Sequence, residues 1–128
     1  MKLLLDTHTF LWFILGDASL SLDARVLIEE PNNQKFVSIA SVWEIAIKVG
    51  IGKMNFAAPF DPFIENQMKI NGFKLHRIEF GHTAIVSNLT FHHKDPFDRI
   101  IIAQAMFRKM PIISADAVFD AYPVNRLW

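Results

Sequence analysis

Three consecutive leucines running into a carboxylate, Leu3, Leu4 and Leu5 followed by Asp6, constrain the fold more than any other stretch of the chain. Successive side chains of a strand point to opposite faces, so a strand that is apolar at every position needs both faces covered, as in a parallel sheet layered by helices. Residues 36–39 (FVSI), 74–80 (KLHRIEF) and 111–114 (PIIS) read as further short strands, and helical patterns separate them. Helices are expected over 9–15 and 21–30, with Ser19 or Ser21 as cap and Pro31 just past the end. Another spans 41–49, stopping at Gly50-Ile51-Gly52, and Asp61 caps a helix over 61–69 with Pro62 in its first turn. A short helix over 82–89, a loop over 90–94, and a long helix from Asp95-Pro96 to about Lys109 follow. The tail reads as one helical turn and a last edge strand. The alternation predicts a three-layer α/β/α domain with a short, mainly parallel central sheet, and 128 residues suit one domain.

Composition removes several function classes. Thirteen basic residues balance thirteen acidic ones, so no global field draws in nucleic acid, and any RNA contact must rely on local patches or metal ions. The absence of cysteine excludes disulfides, thiolate zinc sites and cysteine nucleophiles. Every apolar run ends short of the ~18–20 residues needed to span a bilayer, and no signal peptide is visible, so the expected location is the cytoplasm without a membrane partner. Gly50-Ile51-Gly52-Lys53 lacks the spacing of a phosphate loop, and no G-x-S-x-G elbow occurs.

In such a sheet, ligands gather outside the carboxyl ends of the strands, beside the helix N-termini that follow. Four acids map there. Asp6 ends the first strand, Glu44 and Asp98 fall in the first turns of their helices, and Asp116 follows the last apolar strand. Glu44 and Asp98 also have structural explanations. Ser41 and Glu44 form a capping-box pattern, Glu44 and Lys48 an i,i+4 pair worth roughly 0.2–0.5 kcal/mol, and Asp95 an N-cap three residues before Asp98. Asp98, however, shares its helix face with Ile101, Ile102 and Ala105, which should turn toward the core. A carboxylate there needs a proton or a cation, either Arg99 or a metal. Several acids at one rim suit a hard divalent ion, magnesium or manganese, able to support phosphodiester hydrolysis.

Other polar residues weigh less. Thr7 and Ser114 sit beside acids and would orient water or carboxylate. His8 could point into the site or serve only as structure. His92, His93 and Lys94 read as a solvated loop, able at most to touch a phosphate backbone, and His76 and His82 are assigned nothing.

Four stretches, LLLDTHTFLW, SIASVWEIAIKVGIGK, HHKDPFDRIIIAQA and PIISADAVFDAYPV, together resemble the PIN-domain ribonucleases, specifically the VapC-like toxins of type II toxin–antitoxin pairs, over residues 1–128. The resemblance implies a single PIN domain acting as a magnesium- or manganese-dependent endoribonuclease. The family's acidic quartet falls on Asp6, Glu44, Asp98 and Asp116, with Asp6, Asp98 and Asp116 on the metal and Glu44 on metal or water. Asp95, Thr7, Ser114 and Arg99 would support them. It also implies an RNA substrate, a homodimer and a cognate VapB-like antitoxin. Phe10, Trp12, Phe13, Phe56 and Phe60 exceed what a small core needs, so part of them is expected on a dimer or antitoxin surface, or else in a phenylalanine-rich core. Two rival readings remain: a non-catalytic protein-binding α/β module, and a metal-dependent phosphatase. The phosphatase is disfavoured because Asp6-Thr7-His8 lacks a second acid two residues on.

Overall fold

The computed structural model describes all residues, Met1–Trp128. Five parallel strands, β1 (Lys2–Leu5), β2 (Gln34–Ser38), β3 (Phe73–His76), β4 (Ile112–Ile113) and β5 (Arg126–Leu127), form one sheet in the order β3-β2-β1-β4-β5. Six helices surround it: α1 (Thr7–Leu15), α2 (Leu22–Glu29), α3 (Ile39–Gly50), α4 (Phe60–Asn71), α5 (Phe80–Ser87) and α6 (Pro96–Arg108). A 3-10 helix over Ala117–Ala121 leads into β5, so the tail holds the helical turn and edge strand its sequence suggests.

The leucine run explains the layering. Leu3 and Leu5 face a core built with Phe10, Ala24, Ile28, Ile45 and Ile64. Leu4 points the other way, to Ile101, Ile102, Ala105 and Ile112. All three leucines are fully buried, each contributing roughly 1.5–3 kcal/mol of hydrophobic stabilisation. The expected three-layer α/β/α arrangement with a parallel sheet is therefore present.

Several boundaries differ from expectation, each for a local reason. Helix α1 starts at Thr7 rather than residue 9 because Asp6 caps it, its Oδ1 accepting the Thr9 N–H at 2.8 Å. Helix α3 starts at Ile39 because Ser38 caps it by accepting the Ala40 N–H at 3.0 Å. Ser41 therefore lies inside the helix, its hydroxyl accepting from Thr7 at 2.9 Å, and no Ser41–Glu44 capping box forms. Asp61 is not the cap of α4 either. Pro59 occupies that position, and Asp61 and Pro62 lie in the first turn, where N–H groups have no helical partner to lose. Strand β3 stops at His76, short of Phe80, because the Gln104 amide takes the carbonyls of His76 and Arg77 at 3.5 and 3.2 Å. Helix α5 then begins at Phe80, with His82 Nδ1 accepting the Glu79 N–H at 2.9 Å.

Of the five aromatic residues expected to supply surplus surface, one lies in the core and four pack at its edge. Phe10 is fully buried, and Trp12, Phe13, Phe56 and Phe60 pack partly buried against the same cluster. Among the large apolar side chains left exposed are Trp43, at 60%, and Ile47, Ile78, Phe80 and Phe91.

Candidate functional site

The strand order reverses direction at β1, which has β2 on one side and β4 on the other. Helices leaving two such neighbouring parallel strands diverge, and the crevice between them opens at the carboxyl ends. Asp6 leaves β1 there, and Ser114 leaves β4 beside it. The Asp6 N–H donates to the Ile113 carbonyl at 3.2 Å, and the Thr9 hydroxyl donates to the same carbonyl at 3.0 Å.

Asp6 is 4% exposed and fixed at both oxygens. Its Oδ1 accepts from Thr9, and its Oδ2 accepts the Ser114 hydroxyl at 2.6 Å. The Ser114 oxygen in turn accepts the Asp116 N–H at 3.0 Å, so one serine ties Asp6 to the backbone of Asp116. Asp116 is exposed and caps the 3-10 helix, Oδ1 accepting the Val118 N–H at 3.0 Å. Burial raises the Asp6 carboxyl above its ordinary value, against the lowering effect of the Ser114 and Thr9 hydrogen bonds.

The opposite wall comes from α3 and α6. Glu44 is buried in the second turn of α3 and pairs with Lys48 at 2.9 Å through Oε2, which confirms the i,i+4 contact. Asp98 sits in the first turn of α6, beyond Asp95, whose Oδ1 accepts the N–H groups of Phe97 and Asp98 at 2.9 and 3.0 Å. Asp98 is half-buried, as its shared face with Ile101 and Ile102 requires.

Asp98 shows how the acids meet. Its carboxyl is raised to about 7, first by burial and then by the negative charges of Asp95, Asp6, Glu44 and Asp116. Residues from four separate parts of the chain thus act on one side chain. No three of the carboxylates already close on a common point as a metal's ligands would.

Arg99 does not neutralise Asp98. It is 3% exposed and turned away, donating to the Leu89 and Thr90 carbonyls at 2.8 and 3.0 Å, with Phe91 stacked on its guanidinium at 3.9 Å. Its charge is spent holding the loop before α6. The Thr7 hydroxyl donates to Ser41 rather than to an acid, linking α1 to α3. His8 is exposed and stacks on Trp12.

One residue near the acids was missed. His93, assigned above to a solvated loop, has a side chain only 15% exposed, and its Nε2 lies 3.7 Å from Asp98 Oδ2. The one available signal was the sequence spacing of five residues, which places it near Asp98 only once the loop folds back. His76 and His82 are also buried, away from the acids between β3 and α5. An apolar groove of about 320 Å³ lies among α3, α5 and α6, lined by Ala40, Trp43, Ile78, Val86, Phe97 and Ile100.

The PIN domain family model matches residues 3–125. The chain belongs to the PIN domain family. Proteins of this family are generally nucleases that hydrolyse phosphodiester bonds, and they generally use divalent metal ions. Comparison with curated protein sequences gives no match. Among solved structures, this PIN domain is similar to VapBC2 from Rickettsia felis bound to a DNA fragment from their promoter, at a TM-score of 0.74 and 12% identity, covering 99% of this chain and 98% of that one. It is also similar to a toxin–antitoxin complex from Klebsiella pneumoniae, with TM-score 0.66, 16% identity and coverage of 98% and 95%. FitAcB from Neisseria gonorrhoeae matches at TM-score 0.66 and 14% identity, covering 98% and 96%.

Proposed function

We propose that this PIN domain, residues 1–128, is a VapC-like toxin: a magnesium- or manganese-dependent endoribonuclease that works as a homodimer in the cytoplasm and is held in check by a VapB-like antitoxin. What supports the reading is the gathering of acids at the crevice, with Asp6 tied through Ser114 to the Asp116 backbone and Asp98 in the first turn of α6, where burial and then the charges of Asp95, Asp6, Glu44 and Asp116 raise its carboxyl. The donor set fits a hard cation. It is all carboxylate oxygen, the mutual repulsion has no internal counter-charge at Asp98, and Asp116 has one carboxylate oxygen beyond its cap while Glu44 has one beyond Lys48.

Asp6, Asp98 and Asp116 would hold the ion, and Glu44 would hold it or orient the attacking water. The bound ion supplies charge neutralisation at a phosphoryl oxygen and eases deprotonation of water. Ser114 and Thr9 keep Asp6 in one rotamer, so its remaining lone pairs point in a fixed direction. Lys48, one-third exposed, can swing away from Glu44 at the cost of a surface ion pair. An apolar groove among α3, α5 and α6, lined by Trp43 and Phe97, offers a surface that the antitoxin would cover.

Incubating the purified protein with structured RNA and Mn2+ tests this directly. Cleavage that needs the ion, and that falls in Asp6→Asn and Asp98→Asn by more than the ~10–100-fold typical of lost outer-sphere residues, supports the reading. Intact RNA with wild-type protein, or equal cleavage by the variants, overturns it.

A further inference from the structure

His93 stands in an arrangement that loop packing alone does not require. Tyr122 is 4% exposed, and its hydroxyl oxygen accepts the backbone N–H groups of His92 and His93 at 3.1 and 3.2 Å and Arg99 Nη1 at 3.4 Å. Those donors occupy the acceptor side of the phenol oxygen, leaving its own proton to donate. The acceptor is His93 Nδ1 at 2.7 Å. A neutral imidazole that accepts at Nδ1 carries its proton at Nε2. That Nε2 is buried, has no hydrogen-bond partner, and lies 3.7 Å from Asp98 Oδ2. The ring is wedged against Phe119 and Tyr122, and Arg99 pins the loop below it through the Leu89 and Thr90 carbonyls. The buried donor thus faces a carboxylate about half an ångström beyond hydrogen-bond reach.

We propose that His93 is a positioning residue of the acidic site: the Tyr122 hydroxyl aims its Nε2–H at Asp98, and that donor orients the Asp98 carboxylate for a divalent cation. The inference rests on the metal-dependent reading above and adds a residue to it. His93 is the base paired with the Asp98 carboxylate, at 3.7 Å from Oδ2, so its donor can select which oxygen faces the other acids. Outer-sphere donors of this kind fix the ligand's orientation and raise affinity.

Two measurements test it together. Long-range proton–nitrogen NMR of the metal-free protein should show His93 as the Nε2–H tautomer, and Tyr122→Phe should lose that preference. Mn2+ alone, titrated with the free ion followed by paramagnetic resonance, should bind His93→Ala about 10-fold more weakly than wild type. His93→Gln should recover most of the loss, because its amide nitrogen can occupy the position of Nε2. An Nδ1–H tautomer in wild type, equal Mn2+ affinity in His93→Ala, or a glutamine variant as weak as alanine would overturn the proposal while leaving the nuclease reading in place. If wild type itself binds no Mn2+, both fall. Should His93→Ala not fold, the wild-type tautomer and the glutamine variant decide.

Discussion

The two walls of the acidic crevice are built differently. On the β1/β4 side, Asp6, Ser114 and the Asp116 backbone are joined by hydrogen bonds of 2.6 and 3.0 Å, and each acid also caps a helix. On the α3/α6 side, Glu44 has only Lys48, and Asp98 has a histidine 3.7 Å away. One wall is set by folding. The other has fewer ties, and its Asp98 carboxyl rises to about 7, first through burial and then through the neighbouring acids. On the proposed reading this division matters, because the rigid wall would fix the geometry in which a cation is held.

Breaking the rigid wall should have the largest effect on the fold. Ser114→Ala removes the donor from buried Asp6 and the acceptor from the Asp116 N–H. Leaving such groups unpaired costs about 1–3 kcal/mol, so urea denaturation should show a loss of that size. A loss near zero would mean the wall is not held by this serine.

The loose wall should respond to pH in the metal-free protein. Folded Asp98 holds a proton up to about pH 7, whereas its ordinary value is 3.8. Across that window the folded state binds the proton more tightly than the unfolded one, so this group's contribution to stability falls as pH rises. Burial lowers the His76 and His82 values, and their contributions run the other way, falling as pH drops below the ordinary 6.5. Because both histidines are retained in Asp98→Asn, the difference between the proteins isolates Asp98. The variant's melting temperature should gain on wild type from pH 5 to pH 8 with chelator present. A constant gap would show that Asp98 carries no unusual charge.

Lys48→Met should do least. The pair it breaks is one-third exposed on the lysine side, and such i,i+4 contacts contribute roughly 0.2–0.5 kcal/mol. A larger drop in melting temperature would place Glu44 among the fixed residues rather than the free ones.

The layering and the acids were legible because both follow from local pattern. An all-apolar strand demands two covered faces, and a carboxylate at its end falls at the sheet rim. The helix face through Ile101 and Ile102 likewise foretold the half-burial of Asp98. What the pattern hid were competitions settled in three dimensions. Ser41 matches a capping box, yet Ser38 caps α3 and leaves Ser41 to Thr7. Residues 77–80 alternate like a strand, but the Gln104 amide captures the carbonyls of His76 and Arg77. Arg99 stands next to Asp98 in sequence and points away, since consecutive helical residues face different directions. His93 enters the site only because Tyr122, 29 residues later, takes up its ring.

The central claim is that Asp6, Glu44, Asp98 and Asp116 share one site whose repulsion a hard divalent cation relieves. Thermal melting of the metal-free protein during Mn2+ or Mg2+ titration tests it most directly. The account predicts a melting temperature that climbs with the ion in wild type and stays flat in Asp98→Asn. A wild-type curve that does not move, or a variant that climbs equally, would contradict it.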